Sequence, residues 1–491
     1  MPYSIIYSHV GLTSKQIGLT GQLISDLKAA GHDLKVILCD NVLHNCYFNR
    51  SHNLIGCAAC QSRFGVVLDA NEIKSEDRWY LKPLVGEYKF PEIQSTEELI
   101  DIEYKGINIG RGVASSIISY KRDFHLSSKK YGELIAMELS KSVNIVENWK
   151  IYLSKWTPDH VYVFNGRFSE VHPVLELCKA HEIPFSTFEA GSGTNYELFE
   201  GGLPHSITIR NERMNSLWND ADPDAREQIA HNWFRKKRKG DESLEFSFTK
   251  NQISDLAPNG FDSNQRNILL LNSSEDEIKS IQEWNTDLYP DQNTAIVRLV
   301  EAFKGDPEFT FYLRVHPNLG KVANAQMDQI RQFDFPNLVV IDPLDPIHTY
   351  HMIDICEKSI AFGSTSGIEA TYWGKPSILF GNSFYKYQDC VYNPKSFADL
   401  QMLIRTKELP AMPQASCLPY AYYMSTYGRE SGDFEFEGLK EASFKGKRIR
   451  RFPLTALQKL IRYRSNLPLW KKMHRAFFQD TLRLKNLLKY K

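Results

Sequence analysis

The chain has 491 residues, 42% of them apolar, with 59 basic and 59 acidic side chains that cancel to a formal charge of zero. That length exceeds one ordinary domain and the apolar share is enough for packed cores, which excludes a disordered or fibrous chain. Eight scattered cysteines exclude a disulfide scaffold and fit a reducing compartment, and no charged-then-apolar leader or apolar run near about 18 residues occurs, so the expectation is a cytoplasmic chain that does not span a membrane.

The amino end reads as an α/β domain. Residues 3–7 form a strand-length run, and Ser8-His9-Val10-Gly11 with Gly18 and Gly21 reads as a glycine-containing loop. Residues 20–30 have helical periodicity and 34–39 form the next strand. The glycine spacing is not that of a dinucleotide fingerprint. His9, at the end of the first strand, is a candidate cleft residue. Cys39, Cys46, Cys57 and Cys60 cluster, but their spacing gives one close pair only. His44 or His52 would have to complete a zinc set, and buried thiols are the alternative.

Residues 133–156 read as a long amphipathic helix, followed by a strand at 160–164 and the loop Asn165-Gly166-Arg167-Phe168. A helix at 173–181 leads to a strand at 184–188 that runs into Glu189-Ala190-Gly191-Ser192-Gly193. Asn165, Arg167 and Glu189 thus share two loops at successive strand ends. The Arg167 fork suits a carboxylate or phosphate. Glu189 suits a proton acceptor, or else a turn acid. From 210 to 261 the chain turns charged and irregular, with a basic run at 235–239, and reads as an interdomain linker holding a helix over 223–237.

Residues 267–271 open a second domain as a wholly apolar strand, and Asn272-Ser273-Ser274-Glu275-Asp276-Glu277 follows at once. Apolar runs at 311–315, 338–341, 359–362 and 377–380 alternate with helix-length segments, the pattern of parallel βαβ units. Ligands of such sheets bind beyond the carboxyl ends of the strands. There stand Arg314, His316 and Pro317, then Asp342 to Asp345, then Gly363-Ser364-Thr365-Ser366-Gly367 leading into a helix that carries Glu369. Small residues at a strand-to-helix turn present N–H groups and hydroxyls to phosphate. With cationic Arg314 and His316 beside them, and Ser273 and Ser274 as further donors, they predict a nucleotide mono- or diphosphate site.

Arg-x-His-Pro-Asn at 314–318, Asp-Pro-x-x-x-Ile-x-x-Tyr at 342–350 and Gly-Ser-Thr-Ser-Gly-Ile-Glu-Ala-x-Tyr-x-Gly-Lys-Pro at 363–376 resemble the C-terminal half of GT-B glycosyltransferases. The likeness is to enzymes of bacterial capsule and lipopolysaccharide synthesis, the group with Kdo transferases and sialyltransferases, and covers about 267–382. It implies a GT-B fold, two Rossmann-like domains facing a cleft. The acceptor domain would span 1–250, the donor domain 265–385, and a return segment 386–440 would pack toward the first domain.

By matching position His316, Ser364, Thr365 and Ser366 would hold the donor phosphate and nucleotide, with Pro317 and Gly367 shaping the turn and Glu369 near the ribose or sugar. The implied co-substrate is a nucleotide-sugar, CMP-linked ahead of UDP or GDP, with no metal or other cofactor. An inverting transfer would use Glu189 as base and Arg314, His316 and the serine turn to stabilise the leaving phosphate; a retaining one would leave Glu189 another task. A UDP-sugar 2-epimerase and a non-catalytic assembly protein of the same fold are the rivals. Against the epimerase, Gly363 stands where those enzymes usually carry Asp.

Residues 445–491 hold fifteen Lys and Arg against the single acid Asp480. Leu457, Leu460, Ile461, Trp470, Met473 and Phe477 recur there at helical spacing. A basic amphipathic helix on the anionic inner face of a membrane, near a lipid-linked acceptor, is the expectation. Docking on the catalytic domain or on a protein partner is the alternative.

Overall fold

A computed structural model describes residues 1–9, 11–84, 88–241, 249, 252–321, 324–437 and 441–450. The membrane-surface helix expected within 445–491 therefore lies outside the described residues from 451 onward. The chain divides into two compact units. One holds Met1–Tyr120, His125–Pro204 and the chain from Gly428; the other holds Lys121–Phe124 and His205–Tyr427.

The first unit is built on β1 (Tyr3–Tyr7), β2 (Asp33–Leu38), β3 (Arg78–Tyr80), β6 (His160–Phe164), β7 (Phe185–Ala190) and β8 (Tyr196–Glu200), with a small hairpin of β4 (Glu103–Tyr104) and β5 (Ile107–Asn108). The six-stranded sheet runs β3-β2-β1-β6-β7-β8, parallel except where β8 pairs antiparallel with β7. Ile5, Ile6, Val36, Val161 and Val163 are wholly buried, as β-branched runs covered on both faces should be. The chain crosses from one side of β1 to the other between β3 and β6, so the sheet's switch point lies between β1 and β6.

The helix Leu54–Ala70, capped by the Asn53 side chain, carries Cys57 and Cys60 about one turn apart. Cys60 Sγ accepts the Gly11 N–H at 3.0 Å and Cys57 Sγ accepts from the Asn49 amide at 3.2 Å. Among the described residues no group of three His, Cys, Asp or Glu is placed to hold a metal ion. Two of the thiols in the cysteine cluster thus act as weak acceptors around this helix.

The second unit holds β9 (Arg266–Leu271), β10 (Phe309–Arg314), β11 (Leu338–Ile341), β12 (Lys358–Ala361) and β13 (Ser377–Leu379) in the order β11-β10-β9-β12-β13, all parallel. This is the Rossmann-like alternation that the apolar runs predict. Its switch point lies between β9 and β12. The helices Ile207–Asp220 and Pro223–Arg238 also belong to this unit, where Met214, Ala230, Trp233 and Phe234 join the core and Phe234 stacks on Tyr372 at 3.8 Å. The expected division near residue 250 and the one found after Pro204 differ because charged residues around Trp233 and Phe234 mask a buried stripe.

The chain leaves the second unit at Tyr427 and forms β14 (Phe434–Glu437), β15 (Glu441–Phe444) and β16 (Lys447–Arg448), an antiparallel sheet in the first unit. It lies on the helix Ser14–Ala29, which contains Gly18 and Gly21 within it and not in a loop as the sequence predicts. A Cβ on Gly18 would stand 2.0 Å from the Phe434 ring. Close packing of that ring outweighs the poor helix propensity of glycine. No described helix is long and apolar enough to cross a membrane.

Candidate functional site

A pocket of about 180 Å3 opens in the second unit beyond the carboxyl ends of β9, β10 and β12. Arg314, the last residue of β10, is 2% exposed and lines it. Its Nη1 donates to the Asp342 carbonyl at 2.8 Å and its Nη2 to the Asp345 carbonyl at 3.2 Å, while Nε has no partner. Among the described residues it makes no ion pair. Burial draws its pKa below the ordinary guanidinium value, against the pull of Asp345 and Asp342. A buried cation held only by backbone dipoles is destabilising unless an anion joins it.

His316 follows. Its N–H donates to Asn272 Oδ1 at 2.8 Å and its Nδ1 accepts the Asn318 N–H at 3.2 Å. An accepting Nδ1 places the proton of the neutral ring on Nε2. Burial first, and Arg314 second, lower the pKa to about 4. The expectation of a cationic His316 is corrected: a buried ring beside a guanidinium stays neutral at neutral pH and offers one N–H. Pro317 opens a short 3-10 turn on the same wall.

The turn after β12 completes the pocket with Ser364, Thr365 and Ser366. Gly363 has φ 122, a left-handed conformation that favours glycine, and a Cβ there would lie 3.1 Å from the Asn382 carbonyl oxygen. The Tyr385 hydroxyl donates to the Ser364 carbonyl at 2.5 Å, and Ser364 Oγ accepts the Ser366 N–H at 3.3 Å. Gly367 lies under Tyr385, whose hydroxyl would be 2.4 Å from an added Cβ. Thr365 begins the helix Ser366–Tyr372 without capping it through its side chain, and its hydroxyl makes no hydrogen bond within the described chain. Glu369, 4% exposed on the wall, accepts the Tyr350 hydroxyl at 2.6 Å.

Ser273 and Ser274 do not line the pocket. Ser274 Oγ donates to Asp276 at 2.7 Å, while the Ser273 main chain is held by the Gln292 and Gln326 side chains. The chain turns inward immediately after Asn272, so Asn272 takes the wall position that the sequence assigns to the serines. Behind it, burial raises the Glu275 pKa to about 7. Lys237, Asp241 and Thr249 also reach the pocket, from the segment that reads as a linker. No local pattern marks these three. Asn272 was reachable, since it is the first polar residue after an apolar strand.

In the first unit, Asn165 and Glu189 meet at the ends of β6 and β7. Asn165, at φ 61, donates from Nδ2 to Glu189 Oε2 at 2.7 Å, and Glu189 Oε1 accepts the Ala190 N–H at 2.9 Å. Lys15 stands near this carboxylate, which opposes the lowering of the lysine pKa by burial. Arg167 turns instead to the Ser115 and Ser119 hydroxyls, at 3.2 and 3.1 Å, with its guanidinium 4.2 Å over the Phe168 ring. His9 is 5% exposed, 5.9 Å from the Tyr7 ring, and burial lowers its pKa to about 4 although Glu170 pulls it up. Of the expected constellation, Asn165 is the hub: besides its bond to Glu189, its Oδ1 accepts the Arg167 main-chain N–H at 3.4 Å, while the Arg167 guanidinium turns away.

No protein-family model and no curated protein matches the chain. Solved structures that resemble it include the β-Kdo 2,4 transferase of KpsC from Thermosulfurimonas dismutans, at 14% identity over 54% of this chain and 79% of that one with a TM-score of 0.37. The β-Kdo 2,7 transferase of the same KpsC gives 12% identity, 65% and 89% coverage and 0.34. UDP-GlcNAc 2-epimerase from Neisseria meningitidis, bound to UDP-GlcNAc, gives 13%, 87% and 96%, and 0.24. With identities and TM-scores this low, a functional reading rests on the strand order and the pocket.

Proposed function

We propose that the chain is a GT-B glycosyltransferase that passes a sugar from a nucleotide-activated donor to a growing bacterial surface glycan, with a CMP-sugar favoured over UDP- or GDP-sugars. The observation that carries this is Arg314, a buried guanidinium with an unpartnered Nε and no ion pair among the described residues, in a pocket at the sheet's switch point. A donor phosphate supplies the missing anion. Each hydrogen bond to such a charged group contributes about 1.5–3 kcal/mol. As the glycosidic bond breaks, charge grows on the leaving phosphate, and donors already in place stabilise it without reorganisation. Arg314, the His316 Nε2–H and the hydroxyls of Ser364, Thr365 and Ser366 have that role. Glu369, fixed by Tyr350, accepts from a sugar or ribose hydroxyl.

Glu189 is the base for the acceptor hydroxyl in this reading, oriented by Asn165. The fifteen basic residues of 445–491 would hold the chain at an anionic membrane surface, near a lipid-linked acceptor. Incubation with CMP-, UDP- and GDP-sugars and a glycan acceptor tests the activity. Acceptor-dependent release of one nucleotide supports it, and epimerised sugar with no transfer overturns it. Sedimentation with anionic vesicles tests the tail: equal binding by a chain ending at Arg450 would contradict its role.

A further inference from the structure

We infer that Asn272 is a further binding residue of the pocket, whose side-chain NH2 donates to the anionic group seated beside Arg314. This rests on the anion-binding reading of the pocket. Asn272 is the first residue past β9, at the switch point, and is 1% exposed while contributing to the pocket wall. Its Oδ1 accepts the His316 main-chain N–H at 2.8 Å. That bond fixes the amide's orientation, because an N–H is met by the oxygen and not by the NH2. The NH2 is left without any acceptor and sealed from solvent.

Buried donors without partners are rare in folded proteins and call for an explanation. Arg314 Nε is a second such donor of the same pocket. Two unsatisfied donors, one of them on a cation with no ion pair among the described residues, describe a seat that an anion completes. The same amide then serves two ends. Its oxygen positions the His316 main chain and its NH2 meets the ligand, so an incoming phosphate and the His316 Nε2–H are held in one frame.

Asn272→Asp separates these two ends. It is nearly isosteric, keeps the acceptor for the His316 N–H, and replaces the NH2 by an oxygen that repels an anion. Calorimetric titration of the full chain with CMP, UDP and inorganic phosphate at pH 7.5 should show affinity at least about tenfold below wild type. At pH 5, referred to wild type at the same pH, affinity should partly recover, because a protonated carboxyl again donates; Asn272→Ala should show no such recovery. Wild-type affinity in Asn272→Asp would mean the amide only holds His316, overturning this inference while the nucleotide reading stands. Failure of the wild type to bind any of the three probes would overturn both. Should the aspartate variant not fold, Asn272→Ala in a His316→Ala background decides by titration with inorganic phosphate: a further loss of about tenfold supports a direct contact, and no further loss means the amide acts through His316 and refutes the inference.

Discussion

Thr365 offers a clean test at the scale of one residue, because its hydroxyl lines the pocket yet neither caps the helix that begins there nor bonds elsewhere in the described chain. Thr365→Val, equal in shape, should leave stability within about 0.5 kcal/mol of wild type. Nucleotide affinity should fall about tenfold, the weight of one hydrogen bond to a charged group. Unchanged affinity in a binding assay would remove Thr365 from the phosphate seat. Glu189→Gln should keep both nucleotide affinity and the Asn165 contact yet lower transfer by about 100-fold or more, the usual weight of a general base. Transfer at the wild-type rate would end its role as base. His316, the serine turn and Glu369 were legible in the sequence because strand ends and small-residue turns are local patterns. The neutral state of His316 was not, since it depends on burial beside Arg314, a tertiary fact.

At the scale of elements, the helix Ser14–Ala29 is shaped by a sheet more than four hundred residues away in the chain. Phe434 is 2% exposed and rests where a Gly18 side chain would be. Gly18→Val should destabilise the first unit by about 1–3 kcal/mol or more, as overpacking does. Gly65 lies in a helix with open space around its Cβ position, so Gly65→Ala should add about 0.5–1 kcal/mol. Denaturant melts of the two variants check the contrast, and equal effects would contradict the packing account. Close packing, of Phe434 on Gly18 and of Val67 and Phe444 on Gly21, explains why both glycines read as a loop: propensity is local, and these contacts are not. The helix Pro223–Arg238 shows the converse, since its period was legible while its place in the second unit was hidden behind its basic last turn.

Across the whole molecule the two units should respond differently to acid. In the first, burial lowers the pKa of both His9 and His172 to about 4, from an ordinary value near 6.5. Between those pH values the unfolded chain binds protons that the folded unit does not, so stability falls as pH drops, by about 1.4 kcal/mol per unit for each histidine. Glu138, raised by burial, opposes part of this. Glu170 is held near about 2 by Lys141 and His9 despite its burial, and adds a further loss below its ordinary value of 4.5. In the second unit His316 and, through burial, His348 have the same sign, but Glu275, raised to about 7, keeps its proton in the folded state and offsets part of their loss between about 4.5 and 6.5. Hydrogen exchange in β6 and β9 at pH 7 and pH 5 should show protection lost more in the first than in the second. Parallel loss in both would contradict the assignment.

The central claim is that the second unit seats a nucleotide phosphate against Arg314, and thermal unfolding against CMP, CDP, UDP and GDP tests it most directly. A ligand at one hundred times its dissociation constant adds about 2.7 kcal/mol. The account predicts a shift of several degrees with at least one of the four nucleotides, CMP first, and its loss in His316→Ala. No shift with any of them, from a protein that melts cooperatively, would contradict it.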